Sequence, residues 1–121
     1  MPLPVDLSEK FAQITDYWHP RIVGELNGQL VKLARGFGEL PMHHHAGEDE
    51  LFLVHRGALT LTFADGSDVT IGAGQFYIVP RGVDHQPSAT EEVEIVLFEP
   101  ASTRHTGNVT VAATRERLEW I

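Results

Sequence analysis

Between Arg21 and Pro100 the chain is divided by turn signals into short apolar segments, with no stretch of helical period among them. Ile22 to Leu26 and Gln29 to Arg35 flank Asn27-Gly28, a pair that tolerates the positive φ angles of a type I′ hairpin turn. A strand opening at Glu50 runs through Leu51-Phe52-Leu53-Val54 towards a turn at Gly57. Ala58 to Phe63 and Ser67 to Ile71 flank a second two-residue turn, Asp65-Gly66; Gly72-Ala73-Gly74 breaks the pattern and Gln75 to Val79 resumes it. Val93 to Phe98 supplies one further strand, ended by Pro100. Parallel pairing would need crossover helices between the strands, so this pattern predicts an antiparallel sandwich or barrel.

The two ends differ from this middle. Residues 6 to 18 are predicted to form a short helix, with Asp6 as N-cap, Glu9 reaching back to it, and Leu7, Phe11, Ile14 and Trp18 on one face. His19-Pro20 ends it, His19 being a capping or surface residue. Residues 101–121 are polar until Leu118-Glu119-Trp120-Ile121, an apolar end expected to dock at a subunit interface or as an additional edge strand. The helical stripe likewise needs a surface to cover it, on the barrel or on a second subunit, and a homodimer is expected. The organisation is thus a single domain spanning 1–121: an N-terminal arm (1–20), a barrel (21–100) and a C-terminal extension (101–121). A chain of 121 residues is long enough to bury about two thirds of its unfolded surface without staples.

Several function classes are disfavoured by composition. With no cysteine, there are no disulfides, thiolate metal sites or cysteine nucleophiles. A net charge of −8 with no run of Lys and Arg argues against a nucleic-acid partner. No apolar segment approaches the roughly 20 residues that span a bilayer, and the N-terminus lacks the basic and apolar regions of a signal peptide, so no membrane partner and a cytoplasmic location are expected.

The densest group of metal-ligand atoms is Pro41-Met42-His43-His44-His45-Ala46-Gly47-Glu48-Asp49-Glu50. On an extended strand, alternate side chains share a face, so His43 and His45 point one way and His44 the other. Their backbones then lie about 6.6 Å apart, a gap that inward-leaning imidazoles can close around one ion bound at about 2.1 Å. Glu50 is the best-placed carboxylate, with Glu48 and Asp49 read as solvated loop acids. A second stretch, Gly74 to His85, runs an apolar strand into Pro80-Arg81-Gly82 and then His85, where the turn holds the histidine in place.

Together the two stretches resemble the paired motifs of the cupin superfamily: a glycine, HxH, a glutamate and a second glycine (Gly38, His43, His45, Glu50, Gly57), then a glycine, Pro-x-Gly and histidine (Gly74, Pro80, Gly82, His85). The resemblance covers roughly residues 36 to 89. It departs from the family's pattern twice: Gly38 lies one residue closer to His43 than usual, and the asparagine that often closes the second motif is Ala89. Residues 18–29, Trp-His-Pro-Arg-Ile-Val-Gly-Glu-Leu-Asn-Gly-Gln, resemble the opening of a bacterial subgroup of small cupins described broadly as sugar-phosphate-isomerase-like.

What this resemblance implies is an all-β antiparallel jelly-roll barrel with a short N-terminal helix, in which His43, His45, Glu50 and His85 meet around one divalent transition metal. Three imidazoles and a carboxylate suit Zn, Mn, Fe, Ni or Co, and affinity alone does not choose among them. Residues of Glu50's parity, Phe52 and Val54, should face inward. Tyr77 is the candidate proton donor or substrate hydrogen-bond partner. His44 is expected to face outward, and His55 and His105 to be surface or hairpin residues.

The expected function is an enzyme acting on a small oxygenated molecule. Isomerisation or epimerisation of a sugar acid or sugar phosphate and dioxygenase-type cleavage are both compatible with such a centre. Phosphate recognition would want converging basic residues, for which only Lys32, Arg35 and Arg81 lie near the motifs. The alternative is a non-catalytic module in which the metal or ligand is simply bound.

Overall fold

The computed structural model describes residues 3–111, 114 and 117–121. Its elements are α1 (Leu7–Ala12), β1 (Arg21–Leu26), β2 (Gln29–Glu39), β3 (Glu50–Arg56), β4 (Ala58–Phe63), β5 (Asp68–Gly72), β6 (Phe76–Val79) and β7 (His85–Pro100). All strand pairings are antiparallel. The sheet runs β1-β2-β7-β3-β6, while β4 pairs with β7 and carries β5 at its other side.

The long strand β7 organises the fold. Its second half lies between β2 and β3, with Ile95 opposite both Ala34 and Val54, and its first half pairs with β4 from Ser88–Thr60 to His85–Phe63. One strand thereby passes from one layer of the jelly roll to the other, and the sheet does not close on itself. Leu59, Leu61, Val54, Val93 and Ile95 fill the space between the layers. The observed fold is the expected all-β antiparallel jelly roll with a short N-terminal helix.

Two local differences from the sequence reading have identifiable causes. The helix does start at the Asp6 cap, whose Oδ1 accepts from the Glu9 backbone N–H at 3.0 Å, but it stops at Ala12. Arg35 of β2 donates from Nε and Nη2 to the Phe11 carbonyl and from Nε to the Ile14 carbonyl, taking acceptors that further helical turns would have used. Trp18 then adopts φ +61°, and its backbone N–H and indole N–H bond to the carbonyls of Arg35 and Phe37. The second difference is the length of β7: the strand expected over Val93 to Phe98 opens at His85, because Gln86 to Glu92, polar and containing Pro87, is held in the sheet by β4 and by the end of β2. At the Asn27-Gly28 turn the expectation holds, both residues having positive φ (50° and 79°).

The apolar ends each take one of the places expected for them. Phe11 and Ile14 are buried against Leu33, on the outer side of the sheet. The C-terminus docks beside β1, where Ile22 donates to the Glu119 carbonyl, Ile121 donates to Ile22, and Lys10 Nζ holds the Ile121 carbonyl at 2.6 Å. Ile121 packs on the Phe11 cluster. The helical stripe thus packs on the outside of the barrel and the C-terminus lies beside the edge strand β1, with Trp120 left 58% exposed.

Candidate metal centre

Backbone pairing brings the two histidine motifs together. His43 and His85 face each other across an isolated antiparallel bridge, each donating its N–H to the other's carbonyl at 2.9 and 2.8 Å. The His45 carbonyl accepts from Gly82 N–H, and the Arg81 N–H is capped by Asp49 Oδ1 at 2.8 Å. Asp49, exposed as expected of a loop acid, also fastens the Pro-Arg-Gly turn to the first motif. Across β2 and β7, Gly38 is the partner of Ala89, so the two positions departing from the family pattern lie opposite one another.

The side chains of His43, His45, Glu50 and His85 are all buried, and one ligand atom from each lies within 4.8 Å of the others. His45 Nε2 is 3.1 Å and His85 Nε2 3.3 Å from Glu50 Oε1. Adjacent donors around an ion at about 2.1 Å are about 3 Å apart, so a small contraction of the group would complete a coordination shell. Two imidazoles are already oriented for it. His43 Nδ1–H donates to the Pro41 carbonyl at 2.8 Å and His85 Nδ1–H to the Val83 carbonyl at 3.0 Å, leaving each Nε2 as the lone-pair nitrogen. His85 Nε2 is buried and makes no hydrogen bond among the described residues. A lone pair stripped of water and aimed at two imidazoles and a carboxylate fits a divalent ion.

Electrostatics point the same way. Burial lowers the His43 pKa to about 4, against a partial opposing effect of the Pro41 hydrogen bond, so the ring is neutral at pH 7. Burial pushes the Glu50 carboxyl up, but the Glu99 and His45 hydrogen bonds and the neighbouring His85 imidazole outweigh it and hold Glu50 well below the usual carboxylate range. Metal-free protein should consequently lose stability in acid. Between pH 6.5 and about 4 the unfolded chain binds a proton at position 43 that the fold refuses, which costs up to about 3 kcal/mol. Urea midpoints measured across this window should fall more steeply for the wild type than for His43→Asn, and parallel curves would contradict the assignment.

The sequence-predicted neighbours divide. Phe52 and Val54 do face inward, Phe52 placing its ring 5.9 Å from that of His85. His44 faces outward, its Nδ1 2.9 Å from Asp84 Oδ1. Tyr77 is half-buried with its ring 6.1 Å from Phe63, and it is not among the residues lining the cavity beside Glu50. Lys32 and Arg35 do not converge on the centre as an anion site: Lys32 is buried in a pair with Glu99, and Arg35 is engaged by Glu92, Glu94 and two main-chain carbonyls. His55 stacks on Phe11 and contacts Glu94 at 2.8 Å.

His105 is a correction. Far from being a surface residue, it is buried and shares a cavity of about 30 Å3 with His43 and Glu50. The segment carrying it crosses the mouth of the barrel and is tied to the first motif. Asn108 donates its N–H to the His44 carbonyl, and its Oδ1 accepts from His44 N–H at 3.0 Å. Gly107, at φ +59°, comes so close that a Cβ there would lie 2.3 Å from the His44 carbonyl oxygen. The only hint in the sequence was this Gly107-Asn108 pair, a turn signal inside an otherwise unpatterned extension.

Comparisons with known proteins agree with this architecture. Residues 29–99 match the family model described as the cupin domain. A cupin-2 domain containing protein from Shewanella frigidimarina shares 38% identity and a TM-score of 0.77, over 79% of this chain and 93% of that one. The uncharacterized protein YdbB of Bacillus subtilis is 36% identical over 64 residues, 53% of this chain and 57% of YdbB, so the match spans little more than half of that relative's length. A hydroquinone 1,2-dioxygenase, PnpCD, solved in complex with Cd2+ and 4-hydroxybenzonitrile, shares the fold at 18% identity and a TM-score of 0.66, over 80% of this chain and 72% of that one. The family match over most of the strands, together with the paired motifs meeting at His43 and His85, shows that the chain belongs to the cupin family.

Proposed function

We propose that this cupin is an enzyme that uses one divalent transition metal, held by His43, His45, Glu50 and His85, to act on a small oxygenated molecule with an apolar body. The observation that carries this reading is the position of the donor group: buried, and opening onto a cavity walled by Trp18, Leu40, Phe52, Pro87, Ile95 and Leu97. When bound, the ion supplies Lewis-acid polarisation of a ligand oxygen or, as Fe or Mn, a redox-active centre. The protein's own part is to hold the imidazoles through the Pro41 and Val83 carbonyls and to keep water away with apolar walls.

Between the two reaction classes, oxygenase-type chemistry on a phenolic or enolic compound is favoured over sugar-phosphate isomerisation. The walls offer little to a polyol, and Lys32 and Arg35 are engaged elsewhere. The fold neighbour PnpCD, a hydroquinone dioxygenase crystallised with a metal and a phenol, supports the same choice by analogy.

The test is elemental analysis of protein purified without a tag or chelating resin, followed by oxygen uptake with a panel of dihydroxybenzenes and NMR of a panel of sugar phosphates. Iron or manganese with oxygen uptake is the expected result. Zinc or nickel with sugar turnover would move the assignment to an isomerase, and a stoichiometric ion with no turnover would move it to a binding module. Failure to retain any divalent ion after reconstitution would remove the metal centre itself.

A further inference from the structure

The two layers of the jelly roll differ on their outer faces. With Leu59 and Leu61 turned into the core, the outer side of β4 presents Thr60 and Thr62. Thr60 lies opposite Thr70 and Ser88, and Thr62 opposite Asp68 and Gln86, as expected of an antiparallel sheet with one solvated face. On the other layer the same alternation presents carbon. One row across β2, β7, β3 and β6 reads Val31, Phe98, Leu51, Ile78, and the next reads Leu33, Val96, Leu53, Phe76. Since Phe52 and Val54 occupy its inner side, β3 is apolar on both faces, the pattern of a strand covered on both.

Within one chain only part of this outer face is covered. Phe11 and Ile14 bury Leu33, and Val96 packs against them. Val31, Leu51, Leu53 and Phe98 stay partly exposed, while Phe76 is 60% and Ile78 49% exposed. None of these six carries a charge, on a chain whose net charge is −8. Strands lie about 4.8 Å apart and residues of one face about 6.8 Å apart, so the six make a plateau of about 200 Å2. That is the size of an apolar centre in an interface of about 800 Å2 a side, the remainder being a mixed rim. Leu3 and Val5, 88% and 46% exposed on the arm that leads into α1, add further uncovered carbon on this side of the sheet.

We infer that this face is where a second copy of the chain docks, stacked face to face about a two-fold axis. The plateau asks for a partner that is flat, apolar and uncharged, because a charged group set against it would lose its water and gain no partner. A second copy presents such a surface, and the same residues serve both sides of the contact. Leu51 and Leu53 then receive the second cover that the composition of β3 calls for. Sheets stacked in this way lie about 10 Å apart, as the layers of a sandwich do. Glu50 and Phe52 belong to the opposite face of β3, so each copy keeps its own donor group. The contact is distinct from the helical stripe, whose Phe11 and Ile14 are already buried.

Sedimentation equilibrium over a wide range of concentration should give twice the 13.4 kDa mass of the chain. Phe76→Glu and Ile78→Glu, at side chains open to water in the single chain, should each raise the dimer dissociation constant at least about 100-fold by burying a carboxylate without a partner. Leu51→Glu should do the same from the middle of the plateau, and Thr60→Glu, outside the other layer, should leave the dimer unchanged. Far-UV circular dichroism reports whether each variant folds. If Leu51→Glu does not, Leu51→Thr, which suits a strand, replaces it with an expected weakening of about tenfold. A wild type that stays monomeric throughout overturns the inference, as does a dimer that survives both Phe76→Glu and Ile78→Glu. A dimer lost in those two and intact in the folded Leu51 variant would be pairing along the open edge of β6, which also overturns it.

Discussion

Replacing His45 with alanine is expected to abolish stoichiometric metal binding, lowering affinity by more than roughly 100-fold while the barrel stays folded. Changes to residues that merely support a ligand cost about 10–100-fold, so removing a ligand outright should cost more. His45 Nε2 is the nearest imidazole nitrogen to Glu50 Oε1, at 3.1 Å, so the carboxylate loses its closest partner as well. The fold should survive because the contribution of His45 to it is made by the main chain: its carbonyl accepts from Gly82 N–H whatever the side chain. The apolar core around Val54, Leu59 and Ile95 does not include the histidines. Metal content per chain after reconstitution, read beside far-UV circular dichroism, checks both halves. Undiminished metal in a folded variant would sink the ligand assignment.

The donor group was legible in the sequence because strand alternation is a local property. His43 and His45 on one face, His44 on the other, and Glu50 and Phe52 turned inward all follow from a period of two. The spacing of the two motifs then carried the family resemblance, and with it the long-range fact that His85 would join them. What could not be read depends on which surface another segment presents. The helix ends early because Arg35, more than twenty residues away, takes its carbonyls. Gln86 to Glu92 is strand because β2 and β4 offer it hydrogen bonds, although its composition resembles a loop. His105 was misplaced for the same reason: its burial is decided by the docking of Gly107 and Asn108 on His44, which no periodicity in residues 101–111 announces.

Lys32 illustrates the point with larger energies. Its strand gives no sign that an ammonium would be turned inward, yet it is buried together with Glu99, with Nζ 3.0 Å from Oε1. Burial, followed by the neighbouring Glu50 charge, pushes the Glu99 carboxyl well above the usual range. Glu99 Oε2 has no hydrogen-bond partner among the described residues. The two halves of the pair should therefore respond unequally to mutation. Glu99→Leu strands an ammonium in the interior and should cost about 3–5 kcal/mol. Lys32→Met leaves behind a carboxyl that escapes its charge by taking a proton, so the penalty should be smaller, with the lost bond to the Thr103 carbonyl adding about 1 kcal/mol. The double variant should cost less than the two singles added together, because neither group is then left behind alone. Urea unfolding of the four metal-free proteins at pH 7 reads all three differences. Equal single penalties that simply add would show that the two residues do not stabilise one another, and that the barrel tolerates each charge for a separate reason.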